Sequence, residues 1–162
     1  MKNLKQIRLD DYDYSTNGYY FVTICTDFKK PYLQNQNYKD IVVAELARLN
    51  EMDGVKIDYS VVMPNHIHVI IILEDSRYAL STVVKRYKSK TTVYAKRVAN
   101  QGWQLHKLWQ PNYYEHIIRN EKALDKIRKY IQNNPEVEKL NWKELDDSSI
   151  PVVAGVEKTV VA

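Results

Sequence analysis

Two histidines separated by one residue open an unbroken apolar run in the stretch MPNHIHVIII at 63–72. In a β-strand, residues i and i+2 point to the same face, so His66 and His68 project together while Ile67 points the other way. Two imidazoles held in this way can coordinate one metal ion. The alternative is that both are polar residues of an exposed sheet face, or hydrogen-bonded histidines of the core.

A tyrosine and an asparagine four residues apart, Tyr130 and Asn134, lie in a segment whose apolar residues have helical spacing. Leu124, Ile127 and Ile131 form the apolar stripe, and Tyr130 lies at its edge. An asparagine carbonyl is a hard oxygen ligand that suits Mg²⁺ or Mn²⁺, and a phenol beside a metal can act as a nucleophile. If this helix packs near the histidine strand, Asn134 could complete the metal site. Otherwise Tyr130 is a packing residue and Asn134 a helix cap.

The elements that must position these residues follow from periodicity and turn signals. Asn17-Gly18, Asp53-Gly54 and Pro64-Asn65 are the turn signals. The pattern predicts strands at 19–26, 55–63 and 66–73 and a fourth at the end of 107–118, with helices at 38–52, 79–100 and 121–134. This order predicts an α+β fold, a ferredoxin-like split βαβ arrangement. We expect an antiparallel sheet with helices on one face and a ligand on the other.

Length and composition indicate one globular domain, which we place at 1–147, followed by a tail at 148–162 that is either mobile or an added edge strand. The net charge of +4 permits a polyanionic partner without requiring one. The single cysteine, Cys25, excludes an internal disulfide and fits a reducing compartment. Without a signal-peptide pattern or a membrane-length apolar run, we expect a cytoplasmic protein.

Three stretches together resemble the HUH-endonuclease superfamily: RLDDYDYSTNGYYFVTICT, VVMPNHIHVIIIL and LWQPNYYEHIIRNEKALDKIRKYIQNNP. More narrowly, they resemble the REP-associated tyrosine transposases, and the similarity runs over about residues 8–142. The resemblance implies that His66 and His68 bind a divalent metal, Mg²⁺ or Mn²⁺, with Asn134 as a further ligand. It also implies that Tyr130, ahead of Asn134-Pro135, is the nucleophile.

The activity that the resemblance implies is a metal-dependent cleavage and joining of single-stranded DNA beside a hairpin, through a 5′-phosphotyrosine. Relatives include monomers and dimers, so a homodimer stays open. Tyr113 and Tyr114 are rival nucleophiles, although a strand position favours packing or DNA contact for both. One competing function is a ferredoxin-like module that binds single-stranded nucleic acid without chemistry. Another is a hydrolase in which the two histidines hold a metal that activates water.

Contacts with DNA are expected from the basic helix and from the stretch before the last helix. The helix residues alternate with apolar ones and fit phosphate contacts, although a solvated helix face would show the same pattern. Aromatic residues could stack on unpaired bases, and His116 and Arg119 are equally consistent with packing. The candidates are Lys85, Arg86, Lys88, Lys90, Trp109, Tyr113, His116 and Arg119.

Overall fold

Four strands form one antiparallel sheet in the order β2-β3-β1-β4. They are β1 (Gly18–Cys25), β2 (Val55–Met63), β3 (His66–Leu73) and β4 (Tyr114–Ile118). The computed structural model describes residues 17–99, 105–133, 140 and 142–145 of the chain. The two central strands, β1 and β3, carry buried side chains on both faces, because helices lie against each face of the sheet.

The helices are α1 (Gln36–Arg48), α2 (Leu80–Val98), α3 (Glu121–Gln132) and the short α4 (Trp142–Leu145). Asparagine side chains cap two of them. Oδ1 of Asn35 accepts hydrogen bonds from the first-turn amides of α1. Oδ1 of Asn120 accepts one from the amide of Ala123 at 2.8 Å, as its position before the last helix predicts.

Two separate apolar clusters cover the two faces of the sheet. The larger one packs α1, α2 and residues 105–113 against the even-numbered residues of β1, such as Val22, and against Val69 of β3. The smaller one packs α3 against Phe21 and Ile70, whose side chains point to the opposite face. The α+β, ferredoxin-like fold is therefore confirmed. Helices α1 and α2 share one face as expected, while α3 covers part of the other face.

The described elements agree closely with the periodicity of the sequence. Strands β2 and β3 have the predicted bounds, joined by the two-residue connection Pro64-Asn65. Gly54, with a φ of +72°, fills the turn before β2, where an added Cβ would lie 2.5 Å from the carbonyl oxygen of Glu74. The predicted tail at 148–162 lies outside the described residues, so the division into domain and tail stays a prediction.

Two sequence expectations about Cys25 and membranes can be compared with the described part of the chain. Cys25 is buried at the end of β1, and it behaves as the small core residue that its apolar neighbours predict. None of the described helices is both long and apolar enough to cross a membrane.

Candidate active site

His66 and His68 lie on the face of the sheet that α3 covers. Their ring centroids are 4.7 Å apart, as the two-residue period of a strand requires. His68 is only 2% exposed because it occupies a central strand, and His66 is half-buried at the first position of β3. Cross-strand pairing places Cys25 opposite His66 and Thr23 opposite His68.

Each imidazole makes a hydrogen bond through Nδ1. Nδ1 of His66 lies 2.7 Å from Oδ1 of Asn65, and Nδ1 of His68 lies 2.8 Å from Oγ1 of Thr23. The amide oxygen of Asn65 can only accept, so His66 donates through Nδ1–H, and the Thr23 hydroxyl can accept in the same way from His68. With Nδ1 so engaged in both rings, Nε2 is the nitrogen through which each histidine would coordinate a metal.

The surroundings of His68 disfavour its charged form. Burial lowers its pKa, the nearby His66 lowers it further, and the resulting pKa is about 3. His68 is therefore neutral near pH 7. A neutral imidazole is the form that binds a metal ion.

Tyr130 lies on α3 with its ring close to the histidine pair. Its ring centroid is 5.7 Å from that of His68 and 6.4 Å from that of Phe21. The Phe21 ring in turn stacks against His68 at 5.2 Å. Burial raises the pKa of Tyr130 above its ordinary value, so the phenol holds its proton at neutral pH.

The sequence of α3 explains why Tyr130 faces the sheet. Leu124, Ile127 and Ile131 are buried in the smaller apolar cluster, as their helical spacing predicts. Tyr130 follows Ile127 by three residues and so lies on nearly the same side of the helix, half-buried at the edge of the cluster.

A bidentate ion pair fixes α3 to the edge strand β2. Nε of Arg128 lies 2.7 Å from one carboxylate oxygen of Asp58, and its terminal nitrogen lies 2.9 Å from the other. The guanidinium also lies 5.4 Å from the ring centre of Tyr59. The β2–β3 register shifts between Ile57 and Ser60, so one extra residue of β2 bulges here. Such a bulge re-aims side chains locally.

The residues that support the histidines and α3 were not among the sequence predictions. Asn65 directly precedes His66, and this adjacency was a usable signal. Thr23 lies 45 residues from His68 along the chain, and Asp58 lies 70 residues from Arg128. Both pairs require strand register and helix placement, which a single sequence does not supply.

The third predicted metal ligand, Asn134, lies outside the described residues, so its role stays a prediction. Among the residues described, no group of three or more His, Cys, Asp and Glu side chains is placed to hold a metal ion. His66 and His68 are the members of the predicted ligand set that the structure describes.

The rival nucleophiles differ in position. Tyr113 is 5% exposed and belongs to the larger cluster, on the face away from the histidines. Tyr114 pairs with Thr23, which pairs with His68, so these three residues share one row and one face of the sheet. Tyr114 is thus the tyrosine against which Tyr130 must be compared by experiment.

Three of the predicted DNA contacts make contacts within the protein instead. Trp109 is 3% exposed in the larger cluster, and its indole nitrogen donates to Oγ1 of Thr91 at 2.8 Å. Its ring, like that of Tyr113, is covered by protein, so the expectation that these rings stack on bases is not supported. The ammonium of Lys88 donates to the backbone carbonyls of Gln110 and Asn112 at 2.5 and 3.2 Å. Lys88 therefore fastens the segment before β4 to α2.

The other predicted DNA contacts fall on both sides of the sheet. Lys85, Arg86 and Lys90 are exposed on α2, which lies on the opposite face from the histidines. His116 pairs with Phe21 and so belongs to the same face as His68, where it is 3% exposed. Arg119 is half-buried between β4 and α3.

The relationship to known proteins agrees with this geometry. A family model described as "Transposase IS200 like" matches residues 14–134. The chain belongs to the IS200-like transposase family. The resemblance to the tyrosine transposases, and the prediction that the chain is an enzyme of this class, are therefore confirmed.

Several relatives of this transposase can be compared over most of its length. An uncharacterized protein of Haemophilus influenzae is 30% identical over 81% of this chain and 87% of its own. The structure of a REP-associated tyrosine transposase bound to a REP hairpin is similar, with a TM-score of 0.60 and 24% identity, over 74% of this chain and 67% of that one. A candidate transposase from Deinococcus radiodurans has a TM-score of 0.54 and 20% identity, over 82% and 97% of the two chains. At these identities the two structures support the fold.

Proposed function

We propose that this transposase cuts and rejoins single-stranded DNA beside a hairpin, with Tyr130 as the nucleophile and a divalent metal bound by His66 and His68. The observation that carries the proposal is the placement of the Tyr130 ring 5.7 Å from the His68 ring, with His66 on the same face. A phenol from α3 and two imidazoles from β3 are thereby brought together.

The donor set fits a divalent metal. Both histidines have Nδ1 in a hydrogen bond, the pattern that orients Nε2 in metal-binding histidines. When bound, the metal would supply a positive charge that withdraws electron density from a phosphate oxygen. Imidazole ligands favour Mn²⁺ over Mg²⁺, although either is consistent with the family. Asn134 is the proposed oxygen ligand.

The protein's own contribution is the nucleophile and its alignment. Oη of Tyr130 attacks the phosphorus of the scissile phosphate, and the bond from phosphorus to the 3′ oxygen breaks. The phenolic proton is lost to water, and the departing oxygen takes a proton to become a free 3′-hydroxyl. The phosphoryl group stays on Tyr130 as a 5′-phosphotyrosine ester. A 3′-hydroxyl of another strand can reverse the step, and the strands are then exchanged.

The proposed substrate is single-stranded DNA next to a hairpin. One structural relative is bound to a REP hairpin, and the present chain has the same fold. Its net charge is +4, and exposed cations lie along α2, so a nucleic acid backbone is an electrostatically suitable partner. A homodimer remains compatible with the proposal.

Covalent trapping of DNA tests the proposal and identifies the hairpin in the same experiment. The protein is expressed in bacterial cells, the lysate is denatured, and DNA that stays attached to the purified protein is sequenced. We expect adducts of defined sequence on the native protein and their loss in Tyr130→Phe. Peptide mapping should place the attached nucleotide on Tyr130.

The matched control is Tyr114→Phe, which removes a hydroxyl from the same face of the sheet, in the row of His68. We expect this variant to trap DNA at the native level. Adducts that persist in Tyr130→Phe and vanish in Tyr114→Phe would show that Tyr114, and not Tyr130, is the nucleophile. Cleaved DNA without any adduct would favour water activation by the histidine site, and binding without cleavage would favour a non-catalytic module.

A further inference from the structure

A strained turn follows β1 at the end of the sheet that carries His66. Phe28 and Lys29 both have a φ of +52°, the left-handed region that side chains other than glycine rarely adopt. A residue held in this region is strained and persists where its surroundings impose the conformation. Neither position is a glycine, although glycine is the residue that adopts this backbone conformation without a steric cost.

The turn is held by a dense set of hydrogen bonds on either side. The single hydroxyl proton of Thr26 is shared between the carbonyl oxygens of Lys30 at 2.7 Å and Asn65 at 3.0 Å, and the Thr26 amide also donates to Asn65. The amide of Asp27 donates to the carbonyl of Leu108. These bonds fix the ends of the turn, so its strained conformation is imposed by its surroundings.

The turn adjoins the histidine site. The backbone carbonyl of Asn65 accepts the bonds from Thr26. The side-chain Oδ1 of the same residue accepts the hydrogen bond from Nδ1 of His66. Cys25 pairs with His66, and the charge of Lys29 is close enough to oppose the burial-driven rise in the pKa of Cys25. Phe28 and Lys29 therefore stand at the His66 end of the sheet.

The exposure of Phe28 is the unusual observation. The chain has thirteen tyrosines and only two phenylalanines. Phe21 is buried against His68, whereas Phe28 is 82% exposed, the highest value among the large hydrophobic residues described. An exposed apolar ring beside a cation, at the His66 end of the sheet, suits a ligand that has an aromatic face and a negative charge.

We propose that Phe28 stacks on an unpaired base of the DNA strand that enters the site, and that Lys29 contacts the adjoining phosphate. The position beside the cleaved phosphate rests on the function proposed above. Single-stranded nucleic acid carries the two required chemistries in alternation, since each base has a π-face and each linkage has one negative charge. The strained turn then serves to present the ring before DNA arrives.

Binding of a plain single strand tests the proposal without any need for cleavage. Fluorescein-labelled dT20 and a matching strand with abasic sites at alternate positions are titrated by anisotropy at low salt. We expect Phe28→Ala to bind dT20 about 5- to 150-fold more weakly than the native protein, the range for loss of one base stack. Phe28→Ala should weaken binding of the abasic strand less than it weakens binding of dT20. Phe28→Trp should keep the native preference for dT20 over the abasic strand.

Val43→Ala is the matched control, because Val43 is also an exposed apolar residue, 49% exposed on α1, away from the histidine face. We expect it to bind both strands like the native protein. Equal affinity of Phe28→Ala and Val43→Ala for dT20 would overturn the proposal.

A second pair of variants tests the strain. Phe28→Gly and Phe28→Ala both lose the ring, but only glycine accepts the left-handed backbone without cost, so Phe28→Gly should melt about 2–8 °C higher than Phe28→Ala. An equal or lower melting temperature would contradict a strained turn.

The two proposals fail separately. If Tyr130 adducts are trapped and Phe28→Ala binds dT20 like the native protein, the cleavage proposal is supported and the stacking proposal is wrong. Weakened dT20 binding by Phe28→Ala, without Tyr130 adducts from the native protein, would keep the stacking role and remove the chemistry.

Discussion

At the scale of single residues, the environment of His68 decides what the histidine pair can do. Burial on a central strand, together with the nearby His66, lowers its pKa to about 3, so the ring is neutral near pH 7. Thr23 holds Nδ1 at 2.8 Å and so sets the orientation of the ring. A histidine that is neutral and oriented in this way has the properties of a metal ligand.

The first residue-scale prediction concerns Thr23. Thr23→Val keeps the shape of the side chain and removes the hydroxyl that contacts Nδ1 of His68. Because a lost supporting bond lets the ring rotate, we expect the affinity for Mn²⁺ to fall about 10- to 100-fold. Titration calorimetry or the electron paramagnetic resonance signal of free Mn²⁺ measures the affinity directly.

The control is Thr92→Val on α2, whose hydroxyl donates to a backbone carbonyl of its own helix. It should bind Mn²⁺ like the native protein. If Thr23→Val also binds with native affinity, Thr23 does not orient a metal ligand.

Much of the site could be predicted from residue spacing, and the reasons are local. The shared face of His66 and His68 follows from strand periodicity, and the edge position of Tyr130 follows from helix periodicity. The burial of Trp109 was not predictable, because the sequence around an aromatic loop residue is equally consistent with a base-stacking residue and with a core residue. Its hydrogen bond to Thr91 depends on how the segment at 105–113 crosses α2.

At the scale of elements, α3 must hold its tilt for Tyr130 to face the histidines. Its apolar contacts belong to a small cluster, and the bidentate Arg128–Asp58 pair joins it to β2. A planar guanidinium bound at two points restricts rotation more than a single contact does. Asp58 lies within the bulged part of β2.

Removal of this ion pair should affect chemistry more than DNA binding. We expect Asp58→Ala to lower the free energy of unfolding by about 1–3 kcal/mol, because a charged hydrogen-bonded pair is lost. The yield of Tyr130 adducts should fall while affinity for single-stranded DNA stays within about twofold of the native value. Urea denaturation and the trapping assay measure the two effects.

Gln36→Ala provides the comparison, since the side-chain amide of Gln36 donates to the carboxylate of Asp40 at 2.7 Å and both residues are exposed on α1. An exposed hydrogen bond of this kind within a helix contributes only about 0.2–0.5 kcal/mol. Native adduct yield in Asp58→Ala would mean that the apolar cluster alone positions α3.

Lys88, which connects α2 to the segment before β4, should make the stability of the folded protein depend on pH. Burial, with a smaller effect of Lys107, lowers its pKa to about 8 from the ordinary value of 10.5. Between these two values the unfolded chain retains a proton that the folded chain has released, so a rise in pH across this window favours folding. Below it, the amine is charged in both states and contributes no slope.

We therefore expect the native protein to gain stability relative to Lys88→Met as the pH rises from about 7 to about 10. Urea midpoints of both proteins at each pH give the difference, in which other titrating groups cancel. A difference that is constant or shrinks with pH would mean that the amine has no lowered pKa in the folded protein.

Element bounds were largely predictable, and element placement was only partly so. The runs that became β2 and β3 are bounded by turn residues, so their ends are marked in the sequence. The apolar stripe of α3 predicts that one side is buried, but it does not state against which face of the sheet. The bulge in β2 leaves no mark in the sequence, because its effect lies in the pairing with β3.

At the scale of the whole molecule, the sheet separates two surfaces. The histidines and Tyr130 lie on the α3 side, and the exposed cations of α2 lie on the other. Contacts of DNA with α2 would therefore raise the affinity for DNA at a surface remote from the candidate active site, and α2 would not contact the reacting phosphate.

We expect the double variant Lys85→Gln/Lys90→Gln to bind single-stranded DNA more weakly and with less dependence on salt. Each phosphate contact that is lost lowers the slope of log K against log salt by about 0.7. Anisotropy titrations at several salt concentrations give the slope. At saturating DNA, the yield of Tyr130 adducts should equal that of the native protein.

Lys39→Gln/Asp40→Asn, on the exposed surface of α1, changes two charges of opposite sign and serves as the control. An unchanged salt slope for the α2 double variant would remove this helix from the DNA-binding surface. A loss of adduct yield at saturation would place α2 closer to the reaction than the fold indicates.

The two-residue connection between β2 and β3 has a consequence for how this enzyme can diversify. Strand side chains alternate between faces, so one residue inserted or deleted at Pro64-Asn65 that shifts the strand by a single position would turn both imidazoles toward α1 and α2. Length changes at this hairpin therefore preserve the site only where β3 keeps its present alternation of faces.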